Sequence, residues 1–311
     1  MKKHSPLTLL ALATLTLLLN LLIPSSALAE PTQVHVGVYL LNVGRIDTAG
    51  GTYPMDFYLT FRCDSDCDPS GFEIMNGKVT AEKLDDEPRR KVYRVRGELQ
   101  ANLNLRWYPF DRHTLVIELE DKLRDESRLV YVPDPDTTGV HHRAIVVGWT
   151  LGKLWKTTVS RDHYEVFHQT YSHATFTIGV DRPVINAFLK SIVPAIVIAL
   201  TGFLVLLMAL DKILQRLTLS ASALVATVLF HLNMTSALPP IGYMTFADRF
   251  MLVNYIGLAV VLLVNVCLMR LTDSELHERA KWWNEKTRWT VPLLFGVVHA
   301  INVLTSMHSH S

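Results

Sequence analysis

Six residues in the C-terminal half of the chain have types and spacings suited to handling an ion in apolar surroundings. At about 100° per residue they fall on one narrow stripe of an α-helix. This stripe consists of Thr218, Ser222, Val225, Leu229, Leu232 and Ser236. Its end hydroxyls could replace part of an ion's hydration shell, and its central aliphatic groups could close a water-filled path by dewetting. Its length of roughly 27 Å at 1.5 Å per residue is close to the thickness of a hydrocarbon core.

The same hydroxyls have a simpler interpretation. In many membrane helices Ser and Thr side chains bond to a neighbouring helix or to the carbonyl of residue i−4. Arg216 precedes the stripe, and Pro239-Pro240 would break the helix after it. A pore needs several such helices around one axis, so the stripe predicts an oligomer only if the first interpretation holds.

Four apolar runs follow Pro183, each close to the roughly 20 residues needed to span a bilayer. The runs are Ile185–Leu210, Leu217–Leu238, Phe250–Met269 and Trp289–Met307. We predict four transmembrane helices in a domain covering residues 184–311, the second helix carrying the stripe. The lipid bilayer is therefore an expected partner of the chain.

The N-terminus has the three parts of a secretory signal. A basic pair, Lys2-Lys3, precedes the apolar run Leu7–Ile23 and the small-residue ending Ala27-Leu28-Ala29. We predict removal of residues 1–29 and export of the domain that follows, with a retained N-terminal anchor as the alternative. The charge bias agrees with export, because Lys and Arg are concentrated in the joints that would then be cytoplasmic. These residues are Lys212, Arg216, Arg270, Arg279, Lys281, Lys286 and Arg288.

Residues 30–183 have the pattern of an antiparallel β-sandwich. Val34, Val36, Val38 and Leu40 alternate with other residues, and a second alternation begins at Leu115. Turn signals separate the strands at spacings typical of a sandwich. We therefore predict an all-β, immunoglobulin-like sandwich followed by a four-helix transmembrane bundle.

The chain has three cysteines. Cys63 and Cys67 flank Asp-Ser-Asp and could form a disulfide in an oxidising compartment or stay free, whereas Cys267 lies in an apolar run. No histidine follows at a zinc-like spacing, so the sequence predicts no metal site.

Tyr108-Pro109-Phe110-Asp111, followed by an alternating strand, resembles the aromatic-Pro-Phe-Asp loop of the pentameric ligand-gated ion channels, or Cys-loop receptors. The resemblance continues at Arg182 and at Pro194, before and within the first apolar run. It continues further at Arg216-Leu217-Thr218-Leu219-Ser220 and Leu238-Pro239-Pro240-Ile241-Gly242-Tyr243. The chain is similar to the prokaryotic branch, which lacks the disulfide of the animal members.

This resemblance implies a homopentameric channel whose second helix lines a pore for inorganic ions. It also implies a bacterial inner-membrane location with the sandwich in the periplasm. The residues expected to couple the sandwich to the pore are Tyr108, Pro109, Phe110, Asp111, Arg182, Pro239, Pro240 and Tyr243. Of these, Asp111 and Arg182 are expected to form a partly buried ion pair. The simpler alternative is that Tyr108–Asp111 is only a tight turn.

The agonist site departs from the family pattern. The Trp-x-Asp strand is at best Phe61-Arg62-Cys63, and the Trp-x-Pro segment is missing. By position in the family, the candidate ligand residues are Trp149, Tyr164, Phe167 and Tyr171. The agonist, a small molecule or protons, is not defined by the sequence.

Charge selectivity depends on the inner end of the pore. The candidates are Gln215, Arg216 and Asp211. Cation-selective relatives usually place a glutamate where Gln215 stands, and anion-selective relatives carry a Pro-Ala pair that is also missing. Arg216 either faces the lumen and attracts anions or turns into the protein, as its equivalent usually does. We favour cations, with anions as the alternative.

Other functions fit the residues less well. A non-conducting periplasmic solute sensor would need no polar stripe on one helix. An enzyme would need a constellation such as Gly-x-Ser-x-Gly or His-Glu-x-x-His, and the sequence contains neither. We expect no cofactor and no nucleic-acid partner. Of the 13 histidines, His231 falls within the second apolar run but off the stripe, so we expect it to bond to an adjacent helix.

Overall fold

The structure is a computed structural model that describes residues 30–66 and 68–308. The predicted signal segment 1–29 and Cys67 lie outside the described residues. Ten strands come first and four helices long and apolar enough to cross a membrane follow. Among the described residues before Pro183, the one helical element is the short 3-10 turn Pro135–Thr137. The predicted fold class is confirmed.

The strands form two sheets that pack face to face. The strands are β1 Thr32–Val43, β2 Thr52–Cys63, β3 Phe72–Ile74, β4 Gly77–Glu87, β5 Arg90–Gln100, β6 Arg112–Asp121, β7 Leu129–Pro133, β8 Gly139–Val140, β9 Thr150–Tyr164 and β10 Gln169–Asp181. One sheet has the order β4-β5-β2-β1-β7 with β8 also paired to β1, and the other has the order β3-β6-β10-β9. The strands β7 and β8 run parallel to β1, and the other pairs are antiparallel.

The sandwich core follows the alternation seen in the sequence. Val34, Val36, Val38 and Leu40 are fully buried, as is Leu115 on the facing sheet. A period of two points every second side chain to the same face of a strand, so a shift by one residue would expose this whole set. Burying each such side chain stabilises the fold by about 1.5–3 kcal/mol.

The helices are α1 Val184–Leu207, α2 Ile213–Thr235, α3 Phe246–Asp273 and α4 His277–His308. A π turn at Phe188–Ile192 interrupts α1 directly before Pro194, whose missing N–H cannot continue the regular ladder. A capping box between Thr245 and Asp248 starts α3. The last helix begins at His277, well before the apolar run that predicted it at Trp289.

Candidate pore helix and interdomain junction

The stripe lies on the exposed face of α2 within a single chain. All six of its residues are exposed, and the exposed fractions of Val225, Leu229 and Leu232 are 57, 62 and 62 %. Ser236 is the residue that follows the last helical residue of α2. No other part of the described chain covers this apolar centre, so it is open to solvent, lipid or another molecule.

The opposite face of α2 packs against the rest of the chain. Its buried residues are Arg216, Ser220, Ala223, Thr227 and Met234. Their spacing of four, three, four and seven residues places them roughly 150–180° around the helix from the stripe. Contact between α1 and α2 is close, because a Cβ at Gly202 of α1 would lie 3.3 Å from the Ala223 side chain. The helix therefore has one packed face and one unpacked face, and the stripe is the centre of the unpacked one.

Hydroxyl groups on both faces bond to the backbone of α2. Thr218 Oγ1 donates to the Leu214 carbonyl at 3.0 Å, and Thr227 Oγ1 donates to the Ala223 carbonyl at 2.8 Å. The i−4 bonding considered from the sequence is therefore present at Thr218. It uses the hydroxyl proton, and the oxygen of this exposed residue keeps lone pairs that can face water or an ion.

The three selectivity candidates occupy different environments. Arg216 is fully buried, and its Nη1 donates to Asn284 Oδ1 at 2.9 Å and to the Met208 carbonyl at 3.3 Å. Asp211 and Gln215 are exposed. The guanidinium therefore turns into the chain, away from the stripe, as in the second of the two alternatives considered from the sequence.

The ion pair predicted between the sandwich and the start of α1 is present. Arg182 Nε lies 2.7 Å from Asp111 Oδ1, and Arg182 Nη2 lies 3.1 Å from Asp111 Oδ2. Asp111 is buried, with 1 % of its surface exposed, and its Oδ2 also forms a hydrogen bond with His113 Nε2 at 2.6 Å. Burial by itself raises the pKa of the Asp111 carboxyl. The hydrogen bonds from His113 and Arg182 lower this pKa by more than burial raises it, so it lies below its ordinary value.

Aromatic rings enclose the Arg182 guanidinium. Its carbon lies 4.2 Å from the Trp149 ring centroid and 5.3 Å from the Tyr108 ring centroid. Trp149 also packs against His113 at 5.2 Å between ring centroids. These contacts restrict water around the ion pair, which makes the loss of either partner more costly than at an exposed pair.

Residues 106–111, here called the junction loop, contact the helices directly. Tyr108 Oη donates to the Met234 carbonyl in the last turn of α2 at 2.9 Å. The first residues of α3 donate to the loop, Phe246 N to the Arg106 carbonyl at 2.8 Å and Ala247 N to the Tyr108 carbonyl at 3.0 Å. The loop therefore pairs backbone groups that a helix end cannot pair by itself. The Tyr108–Pro109 peptide is cis.

Apolar packing joins the junction loop to the same helix ends. The Phe246 ring lies 6.2 Å from Trp107 and 5.7 Å from Phe110 between centroids. Tyr108, Phe110 and Trp107 pack against a buried cluster drawn from α1, α2 and α3. Tyr108–Asp111 is thus more than a tight turn, since it makes both hydrogen bonds and apolar contacts to the helical domain.

The joint between α2 and α3 meets the sandwich at two further points. Tyr243 Oη accepts from Leu105 N at 3.0 Å, and the Arg106 guanidinium lies 4.8 Å from the Tyr243 ring centroid. Thr48, in the turn between β1 and β2, donates to the Ala237 carbonyl at 3.3 Å. Pro239 and Pro240 follow in this joint, the first half-buried and the second exposed.

The structure does not bring the four ligand candidates together. Trp149 precedes the first residue of β9 and Tyr164 is its last, so about 50 Å of strand separates them. Tyr164 and Tyr171 meet edge to face at 5.7 Å, and Phe167 is 66 % exposed at the tip of the β9–β10 hairpin. Trp149 belongs to the Arg182 contact instead. The assignment of these four residues to ligand binding stays a prediction.

Tyr164 is held by a buried carboxylate. Its Oη donates to Glu120 Oε1 and Oε2 at 3.2 and 3.0 Å. Burial and this hydrogen bond raise the pKa of Tyr164 to about 12. The phenol therefore stays a hydrogen-bond donor at neutral pH.

Sequence reasoning missed His113 at the junction. The signal was present, because His113 shares the inward alternation of Leu115, Ile117 and Leu119 on β6. By contrast, the expectation for His231 is confirmed. Its Nδ1 lies 2.7 Å from Tyr255 Oη and its Nε2 lies 2.9 Å from Asp248 Oδ1, both on α3.

The cysteines fall into two groups. Cys63 is disulfide-bonded and Cys267 is free. Cys67 lies outside the described residues, so its pairing with Cys63 stays a prediction.

Comparison with known proteins agrees with this architecture. No protein-family model matches the chain. The chain is 20 % identical over 299 residues to a proton-gated ion channel of Gloeobacter violaceus, an alignment that covers 88 % of this chain and 82 % of the relative. This similarity over most of the chain and the sandwich followed by four apolar helices confirm the resemblance to the pentameric ligand-gated ion channels. The four apolar helices are those of a multi-pass membrane protein.

Proposed function

We propose that the chain is one subunit of a homopentameric ion channel gated by protons or a small molecule, with α2 lining the pore. The observation that carries the proposal is the division of α2 into a packed face and an exposed face whose centre is the stripe. The charge bias of the joints supports a bacterial inner-membrane location with the sandwich in the periplasm. The similarity to a proton-gated channel supports the gating class.

Five copies of the stripe around an axis would build the pore. Val225, Leu229 and Leu232 from each subunit form apolar rings, in which water has too few hydrogen-bonding partners to remain. The Thr218 and Ser222 hydroxyls lie toward one end and offer oxygens to a partly dehydrated ion. A closed pore of this kind is dry without being physically plugged.

The junction loop provides a direct route from the sandwich to the pore helix. Tyr108 bonds the last turn of α2, and Asp111 in the same loop bonds Arg182 at the start of α1. A movement of the sandwich that displaces this loop therefore displaces both helix ends. A conformational change in the periplasm is thereby transmitted to the pore.

Cation conduction is the selectivity that the charges favour. The buried Arg216 holds its positive charge away from the stripe, and Asp211 places an exposed negative charge at the same end of α2. Burial of Arg216 removes one positive charge from the pore entrance, and the exposed Asp211 offsets the charge of its exposed neighbour Lys212.

Cysteine accessibility in reconstituted protein tests the pore assignment. The background is Cys267→Ala, which removes the free thiol. Single cysteines at Thr218, Ser222, Val225, Leu229 and Leu232 should react with a small water-soluble thiol reagent in the open state and block the current. Ala223→Cys and Thr227→Cys, on the packed face, are the matched controls and should stay unreactive. Accessibility with any other period would mean that this helix does not line a pore.

Electrical recording tests the gating class. Vesicles containing the wild-type protein are exposed to pH steps and to a panel of amines and amino acids, with reversal potentials measured in cation and anion gradients. We expect gated, cation-selective current. A protein that binds a solute without conducting would favour the sensor instead.

A further inference from the structure

Three side chains able to bind a metal ion converge on one face of the second sheet, away from the junction. Glu120 is on β6, Asp162 on β9 and His173 on β10, and their ligand atoms all lie within 4.8 Å of one another. His173 Nδ1 lies 2.7 Å from Glu120 Oε1 and 3.4 Å from Asp162 Oδ2. The ladder between β9 and β10 pairs Asp162 with Tyr171, so Asp162 and His173 are diagonal neighbours on the same face.

The charges of this cluster are not balanced by other side chains. Glu120 is 4 % exposed and His173 is 8 % exposed. Within the described part of the chain, no Lys or Arg lies within salt-bridge distance of Glu120 or Asp162, whose ion-pair contacts are to His173. A buried carboxylate without a full counter-charge is costly. A protonated imidazole supplies one positive charge against two carboxylates, whereas a divalent ion supplies two.

The ligand atoms, and the hydrogen bond that orients one of the ligands, fit a transition-metal ion. One imidazole nitrogen and two carboxylate oxygens are ligands that Zn²⁺ accepts, with water completing the coordination. At metal–ligand distances of about 2.0–2.2 Å, tetrahedral ligand atoms lie about 3.4 Å apart. The His173–Asp162 separation matches this value, and the His173–Glu120 separation needs to open by about 0.7 Å. The Tyr164 hydroxyl donates to both oxygens of Glu120 and fixes its orientation, as outer-shell groups do at metal sites.

We propose that Glu120, Asp162 and His173 bind a divalent transition-metal ion of the zinc type. One chain supplies all three ligands, and the ion ties β6 to the β9–β10 hairpin. Access is from the side of Asp162, whose side chain is 46 % exposed. The proposal does not depend on ion conduction. The sequence spacing gave no sign of this site because each ligand comes from a different strand.

Metal binding to the full-length protein tests the site. Protein purified in detergent without a polyhistidine tag is stripped with a chelator and titrated with Zn²⁺ by calorimetry and with Co²⁺ by visible absorption. We expect one tight site per chain. His173→Gln and Asp162→Asn should each weaken binding by about tenfold or more, since even outer-shell changes cost 10–100-fold. Zn²⁺ should raise the melting temperature of wild type more than that of either variant.

His163→Gln is the matched control. His163 is exposed on β9 beside Asp162, and its Nδ1 lies 3.1 Å from Thr170 Oγ1, so its loss should leave metal binding unchanged. Asp162→Asn decides the result if His173→Gln does not fold, because Asp162 is half-exposed. The proposal is overturned if wild type binds neither ion, or if wild type and Asp162→Asn bind equally well. Metal titration and melting temperature do not require ion current, so this test remains valid if the protein does not conduct ions.

Discussion

Tyr108, in the sandwich domain, donates its hydroxyl hydrogen to the carbonyl oxygen of Met234 in the last turn of α2 at 2.9 Å. The two residues are 126 positions apart in the chain. The carbonyls of the last turn of a helix have no partner within the helix, so a residue of one domain completes the hydrogen bonding of the helix that carries the stripe in the other.

Replacing Tyr108 by Phe removes this hydrogen bond and keeps the ring. We expect a loss of about 1 kcal/mol in unfolding free energy, because the Met234 carbonyl loses its partner. We also expect a changed stimulus for half-maximal current. Thermal unfolding and electrical recording measure the two effects. Tyr93→Phe on β5 is the control, because its buried hydroxyl has no hydrogen-bond partner among the described residues. An equal shift in that variant would contradict a specific role for Tyr108.

The Asp111–Arg182 pair has an exposed neighbour that serves as a control. Asp111→Asn or Arg182→Gln should cost about 3–5 kcal/mol, because each leaves a buried charge or donor without its partner. Arg112 and Asp181 are adjacent in sequence to the pair and form an exposed contact of 3.6 Å. Arg112→Gln should cost less than about 1 kcal/mol. Unfolding free energies of the variants and a double-mutant cycle measure the difference, and similar costs at both pairs would contradict the assignment.

The same carboxylate predicts a pH dependence of stability. Burial raises the pKa of Asp111, but the hydrogen bonds from His113 and Arg182 outweigh burial and hold the pKa below its ordinary value. Its contribution is therefore present above the unfolded pKa of about 4 and is lost as the pH falls through the lower folded-state value. The difference in melting temperature between wild type and Asp111→Asn should be constant from pH 7 to about 4 and should narrow below it. A difference that already narrows near pH 6 would assign the effect to another group.

Polar substitution at the centre of the stripe should favour conduction. Val225→Thr or Leu229→Ser places a hydroxyl in a ring that closes by dewetting. A change of about 1.4 kcal/mol in the closed-to-open equilibrium shifts it tenfold. We expect spontaneous current or activation at a weaker stimulus, measured by electrical recording. Val228→Thr is the same substitution on a different face of α2, and an equal gain there would refute the closing role of the stripe.

Alkylation counts the free thiols. In denaturant without reductant, a maleimide should label Cys267 alone, since Cys63 is disulfide-bonded. After reduction three labels are expected, one for each cysteine of the sequence. Mass spectrometry of the peptides distinguishes the two states. Labelling of Cys67 before reduction would exclude its predicted pairing with Cys63.

The sequence by itself determined the features that depend on local periodicity. Alternation with a period of two identified the buried faces of the sandwich strands, because consecutive side chains on a strand point to opposite sides. Apolar runs identified the membrane helices, because a bilayer core fixes their length. The helical period placed Val225, Leu229 and Leu232 on one face, and that face is the one left unpacked.

Only the tertiary structure decided which distant residues meet. Trp149 packs against Arg182 and is far from Tyr164. His113 bonds the same Asp111 carboxylate that Arg182 bonds. Arg216 donates a hydrogen bond to Asn284 of α4. None of these contacts has a local signature, since a side chain's face can be read from its neighbours in sequence but its partner depends on how whole elements pack. The Glu120, Asp162 and His173 cluster has the same origin, because three strands must pair in register before its ligands come within reach.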